Sequence, residues 1–383
     1  MIMETTNQVS SSNVTFVHVR GKTLLSPILK WVLLTMVTLG IYRFWAMTGL
    51  RRALWSAIKV GGDQLRYHGT GRELFIGFLI AMTIVVPFYA AIYFLQFMGP
   101  KAVYLGSGLS LLGLIVITPY AIFRRRRYIL TRTSWRGIRF NLQGSPWKFV
   151  RHWIFWTFVS VISFGLALPA RYEKLDRILF ENSSYGNKEL SYTAEAKDYF
   201  LVLLPAYVAV FVLLIAFVTL LSKFWFSLFL AFGAAVVIWP FIQARIFRLR
   251  TNSIFIGDVT MRSNISSAKF YTAYGIYIVF LLVGFAVTFM AVQFYLDYMS
   301  ALIPGSVFPQ GLGVFGYVIF IPIYGLLLFA NMMVLQVMLF EWKMGSLMIF
   351  NTDTLHNAIA SGELENPVGM GLADALDAGF ELV

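Results

Sequence analysis

The sequence predicts an all-α polytopic membrane protein, with about six to eight transmembrane helices, internal repeats and small β-hairpins on the cytoplasmic face. The chain of 383 residues is 58% hydrophobic and only 13% charged, whereas soluble domains carry about 25% charged residues. Long apolar runs alternate with short basic blocks. A glycine and a short alternating stretch follow most of these blocks, which is typical of a β-hairpin.

Six apolar segments are long enough to cross a hydrocarbon core of about 30 Å, which takes roughly 20 helical residues. Short links join them in pairs, so we expect three transmembrane hairpins. The six segments are Leu74–Phe97, Leu105–Phe123, Tyr199–Leu221, Phe224–Gln243, Phe270–Tyr295 and Gly313–Phe340.

Two further apolar segments, Leu24–Met47 and Trp153–Ala170, are harder to place. They are broken near Gly40 and near Gly165–Pro169, and a helix with a basic polar face follows each segment. A single crossing by Trp153–Ala170 would leave the arginines of 245–250 outside, against the positive-inside rule. We therefore prefer two re-entrant or interfacial elements, with additional spans as the alternative.

The basic blocks also indicate a repeated unit of helix end, glycine turn and short strand. Three copies place a charged helix residue ten positions before a glycine, and a looser copy ends at Gly257. The three pairs are Arg51 and Gly61, Arg127 and Gly137, and Asp176 and Gly186. Copies of one unit belong on one side of the membrane, which supports the preferred topology.

The ends of the chain differ from the middle. Residues 1–15 are polar and contain no apolar core, so we expect a tail without a cleavable signal peptide. Residues 16–353 are expected to form one repeat-built membrane domain. Residues 354–383 carry five acidic side chains and no lysine or arginine, which predicts a flexible acidic tail.

The residues offer little support for catalysis or metal binding. The chain has no cysteine and four histidines, and none of the histidines has another metal-ligating side chain at a suitable helical spacing. No phosphate-binding loop or serine-hydrolase motif is present. We therefore expect no cofactor, no metal and no enzymatic activity.

The arginine blocks allow two interpretations. In the first, they set topology and contact lipid headgroups without specificity. In the second, those of 124–127, 139 and 171–177 converge with the small strands into a site for anionic headgroups. The candidate residues are Arg51, Arg52, Arg124, Arg125, Arg126, Arg127, Arg139, Arg171, Arg177, Arg245 and Arg248.

The expected partners are membrane lipids. The net charge of +13 would also suit nucleic acid, but the basic residues flank apolar spans, so we expect no nucleic-acid binding. A protein partner or a homo-oligomer stays open.

Uncharged polar side chains within the spans are candidates for a pathway across the membrane. They either line such a path or bond one helix to another. The four are Gln243, Gln293, Asn331 and Gln336. No Asp or Glu lies in the middle of an apolar segment, which weakens the case for ion-coupled transport.

Three motifs make the chain similar to a known family: TLGIYRFW at 38–45, YHGTG at 67–71 and TSWRGIRF at 133–140. Together they resemble the YjgN-like family of bacterial inner-membrane proteins of unknown function, over about residues 16–350. The resemblance implies a multi-pass protein of the bacterial inner membrane and supports the repeat. It implies no reaction, ligand or catalytic residue.

Two classes of function remain. The first is a transporter, channel or lipid-handling protein. The alternative is a non-catalytic scaffold or envelope-associated protein whose basic cytoplasmic face binds anionic lipids or a partner.

Overall fold

The computed structural model describes residues 14–16, 18–19, 24–219, 224–302 and 323–359. Ten helices, besides short 3-10 turns, lie within these residues. They are α1 Leu25–Val37, α2 Arg43–Ala57, α3 Gly71–Leu95, α4 Pro100–Thr131, α5 Pro146–Ile162, α6 Leu168–Glu181, α7 Ala196–Thr219, α8 Phe224–Asn252, α9 Ser267–Leu302 and α10 Ile323–Gly345.

Six helices in the described part of the chain are long and apolar enough to cross a membrane: α3, α4, α7, α8, α9 and α10. This confirms the prediction of a polytopic membrane protein. Helices α4 and α8 continue beyond their apolar segments, so both carry a basic block at the carboxyl end. The predicted link at 222–223 and the start of the sixth segment lie outside the described residues. Of the link predicted at Asp297–Leu312, the part up to Leu302 continues α9, and the rest is also outside them.

The two ambiguous segments each fold as helix, turn and helix. Helix α1 has 13 residues and is therefore about 20 Å long, too short for a core of about 30 Å. In its turn, Leu39 and Gly40 take φ values of 49° and 93°, and the Gly40 N–H donates to the Thr35 carbonyl at 2.7 Å.

The turn between α5 and α6 repeats this geometry. Phe164 and Gly165 take φ values of 51° and 88°, and the Gly165 N–H donates to the Ser160 carbonyl at 2.7 Å. Both tips are apolar and open, since Leu39 is 85% and Phe164 96% exposed. Such tips suit lipid, and neither α1 nor α5 is among the helices long and apolar enough to cross a membrane.

The all-α prediction was incomplete, because the small hairpins form a single antiparallel sheet. The second strand of each hairpin pairs with the first strand of the next hairpin. The alternation of apolar and polar residues within one hairpin does not reveal this pairing. The strands are β1 Val14–Phe16, β2 His18–Val19, β3 Ile58–Val60, β4 Asp63–Tyr67, β5 Thr133–Trp135, β6 Ile138–Leu142, β7 Ser183–Tyr185, β8 Lys188–Tyr192, β9 Ile254–Ile256, β10 Val259–Ser263 and β11 Leu347–Phe350.

Four of the connections are two-residue turns that need left-handed backbone. Gly61 and Gly62 both have positive φ, as do Arg136 at 49° and Gly137 at 80°. These are the dihedral signs of a type I′ turn, whose twist matches that of the strands. At the other two turns only the first residue, Gly186 or Gly257, has positive φ.

The register separates the two faces of the sheet. Leu65 lies opposite Trp135, and Phe140 opposite Tyr185, and all four pack in or against the largest core. These four residues define an apolar inner face. Because successive side chains of a strand point to opposite faces, Ser134, next to Trp135, lies on the outer face.

The sheet closes on itself through its first two strands. β1 pairs with β11 and β2 with β3, so these strands occupy the two ends of the order. Only one residue separates them in the chain, which brings the two ends within about 8 Å. β1 begins inside the segment predicted as an N-terminal tail, although the domain division itself stays a prediction.

The end of the described chain crosses the interior of this ring. Leu355 and Ala358 are buried in the core that the inner face surrounds. The Asn187 N–H donates to the Ile359 carbonyl, and the Ile359 N–H donates to Asn187 Oδ1, both at 3.0 Å. The first residues of the predicted acidic tail are thus bound to the hairpin of β7 and β8.

The helices follow the same circular order as the strands. The α1–α2 hairpin contacts α3 and α10, and the α5–α6 hairpin contacts α4 and α7. The apolar window of α10 is 56% buried, against at most 22% in the other five spans, so α10 is the most buried of the six. Its Phe340 stacks on Trp55 at 5.4 Å, which connects the bundle to the core of the sheet.

Hydrogen-bonded strands of one sheet cannot lie on opposite sides of a bilayer. We therefore expect cysteines replacing Gln64, Glu189 and Asp258, which are exposed on three hairpins, to react with an impermeant maleimide from one side only. The chain has no cysteine of its own. Met98→Cys, between α3 and α4, is the control for the opposite side. Labelling of any of the three together with Met98→Cys would contradict the arrangement.

The left-handed turns predict a position-specific effect of alanine. A Cβ at Gly137 or at Gly108 would meet nothing within 4 Å, but only Gly137 has positive φ. Gly137→Ala should lower the free energy of unfolding by about 1–2 kcal/mol, the strain of a left-handed residue. Gly108→Ala, inside α4, should leave it unchanged or raise it. Thermal unfolding in one detergent compares the two, and equal effects would contradict the turn assignment.

Candidate functional site: a basic cavity at the ends of the spans

A cavity of about 390 Å³ lies between α4, α5, α6, α8 and α10, which is within the range of small-molecule sites. Its walls combine apolar side chains with a concentration of positive charge. Among the described residues that line it, five are cationic and one is a carboxylate. The cations are Arg125, Arg126, Arg171, Arg250 and Lys343, and the carboxylate is Asp176.

Three of the cations lie over aromatic rings. A ring face attracts a cation but leaves its charge in place, so these contacts fix position without neutralising the cavity. Arg126 lies 4.4 Å from the centre of Phe180, Arg171 lies 5.2 Å from Trp153, and Lys343 lies 5.3 Å from Phe247. Burial lowers the pKa of Arg171, so a bound anion would stabilise its charged form.

Asp176 anchors a buried polar network at the cavity wall. Its Oδ2 accepts from Arg250 Nε at 2.6 Å and from the Tyr199 hydroxyl, and the Tyr192 and Tyr199 hydroxyls lie 2.5 Å apart. Burial raises the pKa of Tyr192 to about 12, so this phenol stays protonated at neutral pH. The network ties α6 to α7, α8 and β8.

Three of the predicted arginines bind main-chain carbonyls. Each side chain reaches from the last turns of its helix to carbonyls at or just beyond the end of the second strand in the hairpin that follows. These bonds give partners to main-chain carbonyls where the strand pairing ends. Arg52 donates to Gly69 at 2.9 Å, Arg127 to Leu142 at 2.7 Å and to Gly144, and Arg177 to Tyr192 at 3.4 Å and Ala194 at 3.3 Å.

The remaining predicted arginines divide by place. Arg125, Arg126 and Arg171 meet at the cavity, whereas Arg51 is fully buried in α2. Arg245 lies 4.8 Å from the ring of Phe241. Arg139 is on the outer face of β6, and neither Arg124 nor Arg248 lines the cavity.

The structure does not bring the four predicted pathway residues together. Gln243 lines the cavity. Gln336 Nε2 donates to Asn331 Oδ1 at 2.9 Å, both buried within a π-helical stretch of α10. Gln293 is exposed on α9. The bond between Gln336 and Asn331 lies within α10 and joins no second helix.

Three charged residues of the cavity were not among the predicted candidates. Arg250 is the last residue of the basic block in α8. The sequence identified this block but not the contribution of Arg250 to the cavity. Asp176 entered only as a marker of the repeat. Lys343 stands alone after an apolar span, and no sequence pattern distinguishes it from a lysine at a membrane surface.

Comparison with known proteins identifies the family. A family model described as "Bacterial protein of unknown function (DUF898)" matches residues 21–231, more than half of the chain. The chain belongs to this family. No solved structure shows a significant match.

Curated relatives carry the name Inner membrane protein YjgN. The protein of Salmonella typhimurium is 32% identical over 114 residues, which is 30% of this chain and 27% of the relative. That of Escherichia coli K12 is 31% identical over 153 residues, 40% of this chain and 36% of the relative. The chain thus spans about a third of these relatives or less. These names, with the six spans, confirm a multi-pass protein of the bacterial inner membrane.

The Asp176 network predicts a large effect of a small change. Asp176→Asn should lower the free energy of unfolding by about 2 kcal/mol, because charge-assisted hydrogen bonds of a buried group are lost. Asp63→Asn removes a more exposed ion pair, with Arg136 at 2.6 Å, and should cost below about 1 kcal/mol. Thermal unfolding of both variants checks the order, and the reverse order would contradict a structural role for Asp176.

Proposed function

We propose that this protein is a lipid-handling protein that binds an anionic phospholipid in the basic cavity. The observation that carries the proposal is the lining of five cations against one carboxylate. A phosphodiester headgroup carries a negative charge complementary to this lining, and arginine forks match its geometry.

The apolar walls favour an amphiphile over a small soluble anion. Ile122, Ile129 and Leu175 contribute to the lining beside the arginines. A headgroup at the cations would place its acyl chains along such side chains, and the apolar surroundings strengthen the electrostatic attraction. Two of the walls, α5 and α6, belong to a re-entrant hairpin, so we infer entry from one leaflet.

We place the sheet and the cavity in the cytoplasm and the inner leaflet. The basic blocks of α4 and α8 lie at the same ends of these helices as the hairpins. Arginine at that end is what the positive-inside rule requires of cytoplasmic segments.

We also propose that the four helix–hairpin units are copies of one ancestral repeat. One main-chain bond recurs in all four. It runs from the residue after the second strand to the residue that directly follows α4, α6, α8 or α10. The N–H groups of His68, Gln143, Thr193 and Asn264 donate to the carbonyls of Arg132, Asn182, Ser253 and Ser346 at 2.8, 2.8, 3.0 and 3.4 Å.

Lipid handling and a scaffold role make different demands on the cavity. A scaffold needs only an exposed basic face, whereas lipid handling needs an occupant of the cavity. The proposal includes no catalytic step and no cofactor, and the absence of enzymatic activity stays a prediction.

Native mass spectrometry in a mild neutral detergent tests the proposal. We expect the protein to retain an anionic phospholipid, such as phosphatidylglycerol or cardiolipin, in preference to phosphatidylethanolamine. Arg126→Gln with Arg171→Gln should weaken retention roughly thirtyfold, because each basic residue near a lipid phosphate contributes about 1 kcal/mol.

The control is Arg245→Gln, on the same helix as Gln243 but outside the cavity lining. It should retain the lipid as the unaltered protein does. Equal losses in both variants, or no preference for anionic lipid, would overturn the proposal. Circular dichroism verifies that the variants stay folded.

A further inference from the structure

A histidine and a serine meet on the outer face of the sheet, away from the cavity. His68 Nε2 and Ser134 Oγ lie 2.8 Å apart. His68 directly follows β4 and is exposed, whereas Ser134, in the middle of β5, is only 4% exposed. The pair therefore has one accessible member and one fixed member.

Two arginines flank this serine in a single row. The register places Arg66 of β4 opposite Ser134 on one side and Arg139 of β6 opposite it on the other. Residues directly opposite point to the same face, with Cβ atoms about 5 Å apart. Within the described residues, no carboxylate forms an ion pair with Arg66 or Arg139.

Two further arginines complete the surroundings of His68, and both have fixed partners. Arg52 of α2 donates to the Gly69 carbonyl at 2.9 Å, and Arg132 at the end of α4 pairs with Glu73 of α3 at 3.1 Å. Partial burial, together with all four arginines, lowers the pKa of His68. The four positive charges are therefore close enough to act on one imidazole.

The fold does not require this row of charges. The equivalent row of the next hairpin is Asn141, Ser184 and Glu189. The row after that is Ser191, Phe255 and Thr260. Both rows keep the same pairing without concentrating cations. The row Arg66, Ser134, Arg139 thus calls for an explanation beyond folding.

We propose that His68, Ser134, Arg66 and Arg139 bind the phosphate group of a phosphomonoester. A phosphomonoester carries up to two negative charges and several acceptor oxygens. Two guanidinium forks, a hydroxyl and an imidazole supply the matching donors. The site lies next to the first turn of α3, close to the membrane. Its ligand is therefore either a soluble phosphomonoester or the headgroup of a phosphomonoester lipid such as phosphatidic acid.

Binding must be linked to the proton on His68. The surrounding arginines favour the neutral imidazole, and a bound anion favours the charged form. The pKa of His68 should therefore rise when the site is occupied, and binding should take up a proton near neutral pH. Lys59 and Gln64, which pair in the preceding row, add no carboxylate that would repel the anion.

The experiment is a histidine NMR titration of the full chain in nanodiscs of phosphatidylcholine. The chain has four histidines, so His68→Gln assigns the resonance. One arm adds inorganic phosphate against chloride of equal ionic strength, and the other replaces part of the lipid with phosphatidic acid. We expect the pKa of His68 to rise in at least one arm. A rise only with phosphate indicates a soluble ligand, and a rise only with phosphatidic acid indicates a lipid headgroup.

Matched variants show whether the row is responsible. The double variant Arg66→Gln with Arg139→Gln should need at least tenfold more ligand to give the same rise in the pKa of His68. Arg262→Gln alters the position on β10 that corresponds to Arg66 on β4. This variant should respond at the same ligand concentration as the unaltered protein. No rise in either arm, or an equal loss in the Arg262 variant, would overturn the proposal. Neither result depends on the cavity, whose residues are unchanged in these variants.

Discussion

Hydrogen bonding between the second strand of one hairpin and the first strand of the next is the interaction on which this structure depends. β5 and β7 have three residues each, and a hairpin built on so short a strand is not stable in isolation. Joined edge to edge, the hairpins leave few unpaired main-chain groups and surround one apolar core. The same pairing sets the order of the helices and the side of the membrane from which each one starts.

Apolar length and charge placement were sufficient to predict the six spans, and glycine placement predicted the breaks in the two shorter apolar segments. Gly40 and Gly165 identified those breaks because left-handed backbone is cheapest at glycine. Alternation around Gly137 and Gly186 revealed the hairpins. It could not reveal their union, because pairing between hairpins depends on residues more than 40 positions apart, as with Leu65 and Trp135. Nothing local in a sequence encodes that register.

The arginines show why the site was only partly predictable. Arg126 and Arg127 are adjacent in one block, yet Arg126 faces the cavity over an aromatic ring and Arg127 binds carbonyls of β6. A turn of about 100° per residue separates their directions, so neighbours in a helical block perform different tasks. Composition identifies the block, but only packing distinguishes the residue that holds the fold from the residue that offers charge to a ligand.

The pairing of β1 with β11 has a consequence for the order of folding. During synthesis, Val14 to Phe16 emerge first, but their partner strand ends at Phe350. The ring can close only after every described span has left the ribosome. Until then, an unpaired strand edge stays exposed, and such an edge readily joins other chains. Biogenesis of this protein must therefore protect the edge or complete insertion quickly. The strand that is synthesised first is the last to find its partner.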